Sequence, residues 1–242
     1  MLRVDLHIHS IASGHAFNTI FELSYFAGQK GVEMIGVTDH GPSMKGAPHI
    51  GYFEMMKKIP RELNGVKIIT GCEANIINLE GDIDLPIEVQ EQLDLVIVGL
   101  HERTPFPKKT TLLENTQAII NAIKKNRVHI ISHPYRLEFP VDIEKIFAVA
   151  KEKGVLLEVN LSLLNRCAAS KELLDQVRLI VERADFYKEK IIVATDAHIA
   201  NEIGDDSILK SVGLKIPDEL ILGKQEGAIE VERFLKRKKL LS

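Results

Sequence analysis

Near its start the chain alternates polar and aliphatic side chains: Val4-Asp5-Leu6-His7-Ile8-His9-Ser10. In a β-strand alternate side chains share a face, so Asp5, His7 and His9 are expected in one row, about 7 Å apart. Imidazole together with carboxylate suits zinc, manganese or iron. One strand cannot complete a metal site, so partners must come from other elements.

The rest of the chain offers them at regular places. Each short apolar run ends in a polar group. His40 follows residues 34–38, Glu73 follows 66–71, His101 follows 94–100, and His133 follows 128–132. Asn160 follows residues 155–159, and Asp196 and His198 follow 190–195. With His15 in the loop after the first run, the candidate ligands are His7, His9, His15, His40, Glu73, His101, His133, Asp196 and His198. One catalytic zinc takes about three protein ligands plus water. A set this large suggests two or three ions, with a carboxylate such as Glu73 bridging a pair. Paired ions clamp the attacking and leaving oxygens of an in-line displacement and activate water. Phosphate-ester hydrolysis fits such a site best; amide or ring hydrolysis is the nearest competitor.

The elements that must position these residues follow from the same pattern. Continuous apolar runs joined by helical spacing indicate parallel strands buried on both faces. Helices are expected over residues 17–30, 53–64, 115–125, 142–153 (capped by Asp142), 170–187, 203–212 and 227–238. Seven strand candidates in this arrangement suit a closed α/β barrel, where all C-terminal strand ends meet at one mouth. The 242 residues, 45% hydrophobic and 27% charged, suit one α/β barrel domain with a large core.

Other function classes recede. A net charge of −3 gives no basic field to recruit nucleic acid or a membrane surface. The run Lys236-Arg237-Lys238-Lys239 reads as a solvated helix end, its cations near the negative end of the dipole. Cys72 and Cys167 form neither a ligand spacing nor a disulfide framework and read as reduced thiols. There is no secretory pattern and no apolar run approaching the ~18 residues of a membrane span. A cytoplasmic protein is therefore expected, with a homo-oligomer left open.

Several residues carry individual expectations. Asp5 and Asp39 flank ligand histidines, so each either accepts the ring N–H of a ligating imidazole or forms a buried salt bridge. His129 lies about 13 Å toward the barrel bottom from His133 and reads as a hydrogen-bonded core histidine. Cys72, with strand parity opposite to Glu73, reads as packing. Arg166, just after the sixth run, is shaped for bidentate phosphate binding. Arg136 and Asn160 are further substrate contacts, and His49 a weaker one. Ser10 and Ser13 lack the base and orienting group of an activated nucleophile.

Five motifs in order carry a family resemblance. Asp5-Leu6-His7-Ile8-His9-Ser10, Thr38-Asp39-His40, Gly71-Cys72-Glu73-Ala74, Ser132-His133-Pro134 and Thr195-Asp196-Ala197-His198 resemble the motifs of the polymerase and histidinol phosphatase (PHP) superfamily, from residue 5 to about 205. Ser13-Gly14-His15-Ala16, Asp39-His40-Gly41-Pro42, Ala47-Pro48-His49, Glu73-Ala74-Asn75-Ile76 and Gly99-Leu100-His101-Glu102 are most similar to its small YcdX-type phosphatases. The resemblance implies a distorted seven-stranded (β/α)7 TIM-like barrel, a single domain over residues 1–242. It also implies three divalent ions, zinc first, with manganese or iron as alternatives. His7, His9, Glu73 and Asp196 would hold one ion, Glu73, His101 and His133 a second, and His15, His40 and His198 a third. The implied reaction is hydrolysis of a small phosphomonoester by metal-activated hydroxide. Glu73, Asp196 and His198 would stand nearest the chemistry, with a histidine or metal-bound water near the third ion protonating the leaving oxygen. A phosphodiesterase or exonuclease, or a histidinol-phosphate phosphatase, is the alternative. Tyr135-Arg136, Leu161 and Ala197 depart from the family pattern, which bears on substrate contacts and leaves the ligand set intact.

Overall fold

The computed structural model describes residues 1–168 and 170–241, without the side chains of residues 239–241. Strands β1 (Val4–Ile8), β2 (Met34–Val37), β4 (Val66–Asn75), β5 (Leu95–Gly99), β6 (Ile130–Ile131), β7 (Leu156–Asn160) and β8 (Ile192–Ala194) run parallel in that order. A bridge between Ile8 and Ala197, with His9 N donating to Ala197 O at 2.9 Å, brings the last strand back to the first. Seven parallel strands thus nearly close into a barrel, as the apolar runs imply.

Side-chain alternation sorts the strands into two cores. Val4, Leu6, Met34, Ile69, Leu95, Ile97, Ile130, Leu156 and Ile192 fill the lumen. Leu222 and helix α9 (Ala228–Leu241), through Ala228 and Val231, plug the lumen at the N-terminal ends of the strands. The opposite strand faces (Ile35, Val37, Val96, Val98, Leu157, Val193) pack under the helices. The covering helices are α1 (Ile20–Gln29), α4 (Leu112–Lys125), α5 (Ile143–Glu152) and α7 (Lys171–Tyr187). Thr19 with Glu22 and Thr111 with Glu114 form capping boxes at α1 and α4, each satisfying otherwise orphaned N–H groups. Asp142 caps α5 by accepting from Lys145 N at 3.1 Å. No described helix is long and apolar enough to cross a membrane.

One irregularity decides the site. Asp5 pairs with Ile35 and Ile8 with Val37, so β1 spends three steps against two on β2. That is a β-bulge, and it reverses the alternation: Leu6 packs in the lumen and Ile8 in the outer core. Asp5 therefore points outward while His7 and His9 point inward, and the expected single row does not form. Gly36 makes room for the bulge. A Cβ there would stand 2.4 Å from the Leu6 carbonyl oxygen.

Some elements differ from expectation. Residues 53–64 are not one helix. A short helix α2 (Ile50–Met55) and a 3-10 turn are followed by β3 (Glu62–Leu63), antiparallel to β4. Asn64 and Gly65, both at positive φ, make the two-residue hairpin that Asn-Gly favours. Helix α3 (Ile87–Gln92) and helix α6 (Leu161–Arg166) lie outside the expected helices. The span 203–212 shortens to helix α8 (Ser207–Ser211), with a 3-10 turn over Ala200–Glu202 ahead of it.

Candidate metal centre

Glu73, fully buried near the end of β4, is the hub. Its Oε1 lies 3.0 Å from Nε2 of both His101 and His133, which are 3.3 Å from each other. Its Oε2 lies 3.3 Å from His7 Nε2, 3.5 Å from His9 Nε2 and 2.8 Å from His40 Nδ1. Asp196 Oδ1 stands 3.0 Å from His9 Nε2 and 3.7 Å from His7 Nε2. The two carboxylate oxygens of Glu73 thus face two different sets of imidazoles. His15 and His198 complete the outer side, their rings 5.0 Å apart, with His15 also 5.0 Å from His40 and His198 4.4 Å from His9. His15 is exposed and His198 partly buried.

Three groups offer one atom each within 4.8 Å of one another: His7, His9 and Asp196; His40, Glu73 and His101; and His9, His40 and His198. The expected set of Glu73, His101 and His133 also comes together, within 3.3 Å, while His9 adds to His40 and His198, and His40 to Glu73 and His101.

The donor set fits cations. Glu73 Oε2 and His40 Nδ1 face each other at 2.8 Å without the geometry of a hydrogen bond and have no other hydrogen-bond partner among the described residues, and His7 Nε2 faces His9 Nε2 at 3.1 Å. Buried carboxylates are costly without a counter-charge, and a divalent ion supplies one.

The protonation pattern suits the same task. Burial works against the charge of Glu73, but facing His7, His101 and His40 hold its pKa well below the usual carboxylate value. Asp196 follows the same logic: burial opposes its charge, the facing His7 and His9 favour it, and its pKa falls. Burial, then the nearby His40, pushes His9 well below its ordinary value. Burial pushes His101 down to about 4, with Glu73 pulling the other way. His7 is the exception, because Glu158, Glu73 and Asp196 together outweigh its burial and raise it. Ionised carboxylates and neutral imidazoles are the forms that ligate.

Three of the histidines are oriented by a partner on the ring nitrogen away from the cluster. His7 Nδ1–H donates to Glu158 Oε1 at 2.7 Å. His9 Nδ1–H donates to Ser13 Oγ at 3.1 Å, and that hydroxyl donates to Asp39 Oδ1 at 2.7 Å. His198 Nδ1–H donates to the Asp196 carbonyl at 2.9 Å. All three bonds leave Nε2 with its lone pair toward the cluster. His133 (φ 30) and Asp196 (φ 55) are in the left-handed region, strain of about 1–3 kcal/mol each that a surrounding structure must hold in place.

These contacts correct the expectations for Asp5 and Asp39. Asp5 touches no imidazole. The bulge turns it outward, where it accepts from Thr195 N at 3.1 Å and Gly204 N at 3.0 Å. Asp39 forms no salt bridge and reaches His9 only through Ser13; it also holds Ser10 N at 2.7 Å and Tyr52 Oη at 2.6 Å. The carboxylate that does accept a ring N–H is Glu158, which sequence reasoning passed over. Its signal was a carboxylate inside an otherwise apolar strand, with the parity of Asn160.

The substrate candidates separate. Asn160 has no free donor: Nδ2 donates to Glu158 Oε2 at 3.1 Å and Asp196 Oδ2 at 3.2 Å, while Oδ1 accepts from Leu163 N at 2.8 Å to cap α6. It supports the centre from beneath and is not a substrate contact. Arg136 shares a small cavity with Ser132, His133 and Pro134. Arg166 is exposed on α6 and lines a different groove with Asn165, Glu202 and Asp205, none of them in the cluster. His49 caps α2, accepting from Gly51 N at 3.1 Å. Cys72 is buried in the outer core. His129 Nδ1 accepts from Val96 N at 3.0 Å, far from the mouth.

A nearly closed parallel barrel with a His/Glu/Asp cluster at its C-terminal mouth is the architecture of a metal-dependent barrel hydrolase. Residues 5–162 match the family described as PHP domain. The chain is 40% identical to a probable phosphatase of Caldanaerobacter subterraneus subsp. tengcongensis, over 99% of this chain and 94% of that protein. It is 37% identical to a probable phosphatase of Clostridium acetobutylicum, over 97% and 95%. Among solved structures, a histidinol phosphate phosphatase from Lactococcus lactis subsp. lactis Il1403, complexed with zinc, L-histidinol and phosphate, superposes with a TM-score of 0.62 at 19% identity. It covers 88% of this chain and 94% of its own, a likeness of fold. The chain belongs to the PHP domain family and is a phosphoric ester hydrolase.

Proposed function

We propose that this protein hydrolyses a small phosphomonoester with three divalent ions, zinc first among them, held at the barrel mouth. The observation that carries the reading is the division of Glu73, whose Oε1 meets His101 and His133 and whose Oε2 meets His7, His9 and His40. A carboxylate so placed would hold one ion with each oxygen. Bound there, the ions supply Lewis acidity toward phosphoryl oxygens and lower the pKa of water.

The chain's own residues do the rest. Glu158, Ser13 and the Asp196 carbonyl fix His7, His9 and His198 with Nε2 inward. Asp196 and Glu73 supply the negative charge that holds cations together. His198, partly exposed at the rim, keeps its Nδ1–H on the Asp196 carbonyl and would present Nε2 to an ion there. Arg136, beside His133, is the cation best placed for a phosphate oxygen. Arg166 is not with them.

The test is metal analysis of the purified protein together with matched substrates, p-nitrophenyl phosphate and bis-p-nitrophenyl phosphate. Bound divalent ions and a higher kcat/KM on the monoester are expected. A higher kcat/KM on the diester would replace this reading with a phosphodiesterase. Full turnover by Glu73→Ala would overturn the metal bridge.

A further inference from the structure

The opposite end of the barrel carries two adjoining concavities that the chemistry at the mouth does not use. One is a groove of about 600 Å³ lined by Lys124, Lys125, Arg127, Lys153 and Lys238, with Glu91 the one carboxylate among its lining residues. The other is a chamber of about 220 Å³ whose walls include Phe147, Leu156, Leu222 and Phe234, with Glu189 and Glu230 at its edge, the latter paired with Lys190. Lys238 lines both.

Part of this charge has a local explanation. Lys124, Lys125 and Lys153 lie at helix C-termini, where the dipole favours cations. Lys125 pairs with Asp82 and Lys153 with Glu152. Lys238 shares that setting in part, lying in the last turn of α9 and donating to the Lys153 carbonyl at the end of α5. Arg127 precedes a strand and is held in place by Nη1 donating to Gln90 O at 2.7 Å and Leu93 O at 2.8 Å. Lys238 is drawn in to partial burial, contrary to the solvated helix end expected of the basic run. Burial, then Arg127 and Lys153, pushes its amine down to about 8. Lys124, Arg127 and Lys238 make no ion pair among the described residues.

His129 is fully buried and lines neither concavity. It lies close enough to Arg127 and Lys238 for their charges, after burial, to help hold its pKa at about 3, and its ring is 6.4 Å from that of Phe234. Gathered cations with a single carboxylate among them, beside a chamber that presents Phe147 and Phe234, share one complement: an anion joined to a flat apolar group.

We propose that this face binds a nucleotide, its phosphates across Lys124, Arg127 and Lys238 and its base in the chamber lined by Phe147 and Phe234. The groove is concave and within the size range of small-molecule sites. Its few cations, on a chain of net charge −3, suit one small ligand better than a nucleic-acid strand.

The test is calorimetric titration of the metal-loaded, full-length protein with the β,γ-imido analogue of ATP, with tripolyphosphate, and with a single-stranded RNA oligonucleotide. Three proteins are compared: wild type, the Lys124→Glu/Lys238→Glu double variant, and Glu73→Ala. The nucleotide is expected to bind with a Kd on the order of 10 μM. The double variant weakens it at least about tenfold with phosphatase activity unchanged, and Glu73→Ala binds as the wild type does. Tripolyphosphate binds more weakly than the nucleotide, because it leaves the chamber empty. An undetectable nucleotide interaction, or a Kd unchanged in the double variant, overturns the proposal. So does tripolyphosphate binding as tightly as the nucleotide, or the oligonucleotide binding more tightly.

Discussion

Glu158→Gln changes one oxygen to an amide nitrogen with almost no change in volume, and the structure makes its consequence calculable. Three donors converge on the carboxylate: His7 Nδ1 at 2.7 Å on Oε1, and His133 N at 2.8 Å and Asn160 Nδ2 at 3.1 Å on Oε2. A glutamine offers one acceptor oxygen. If that oxygen stays toward His7, the amide NH2 meets the His133 and Asn160 donors head-on. If the amide turns, NH2 faces His7 Nδ1, and the ring must carry its proton on Nε2, the atom that faces His9, Glu73 and Asp196. A buried donor left without an acceptor costs about 1–3 kcal/mol. Loss of the group that orients a ligating histidine lowers metal affinity about 10–100-fold, which corresponds to about 1.4–2.7 kcal/mol. The two scales agree.

Zinc affinity of Glu158→Gln is therefore expected to fall about 10–100-fold, read by competition with a chromophoric chelator. Unfolding of the metal-free protein distinguishes the two arrangements. A destabilised apo protein means that the amide kept its oxygen on His7. Unchanged apo stability with weakened metal binding means that His7 switched tautomer. Wild-type affinity and full metal content would refute the role assigned to Glu158.

Other perturbations test separate parts of the structure. Gly36→Ala places a Cβ against the Leu6 carbonyl; a loss of about 1–3 kcal/mol together with reduced metal content is expected, and a variant of normal stability would show that the bulge does not depend on Gly36. His129 is held neutral by burial, then by Arg127 and Lys238, with its pKa at about 3, so as pH falls below about 6.5 the unfolded chain takes up a proton that the folded one refuses. Stability falls along that limb, and His129→Gln should flatten the loss between pH 7 and 4.5 in denaturant titrations of the metal-free protein; an unchanged slope would contradict the assignment. Arg136→Ala is expected to raise KM for a phosphomonoester about tenfold, the loss of one charge-assisted contact, while Arg166→Ala changes it little; the reverse order would move the phosphate site to α6.

The barrel and the clustering of its polar residues were legible because both follow from one rule of parallel strands. Apolar runs stop where the chain leaves the core, and all seven stops lie at the same end. His40, Glu73, His101, His133 and Asp196 could be gathered on that rule without knowing a distance. What sequence could not supply was register. Asp5 and His7 alternate as partners on one face should, yet an extra residue in β1, accommodated by Gly36 on the neighbouring strand, sends them to opposite sides.

The same gap explains Asn160 and Glu158. Asn160 has the right type at the right strand end for a substrate contact. Its amide is spent because the chain enters α6 at once and needs a cap, a local event that the apolar pattern after it does not announce. Glu158 lies within a strand, where an end-of-strand rule does not look. Yet from β7 its two oxygens reach ligands on β1 and after β6. Ligand types are set by where strands end, while ligand orientation is set by side chains one layer deeper, whose partners depend on register. A variant at a strand-end histidine that faces one oxygen of Glu73, such as His101, should therefore act on one ion, whereas Glu158, which ties His7 of one carboxylate set to His133 of the other, should disturb both at once.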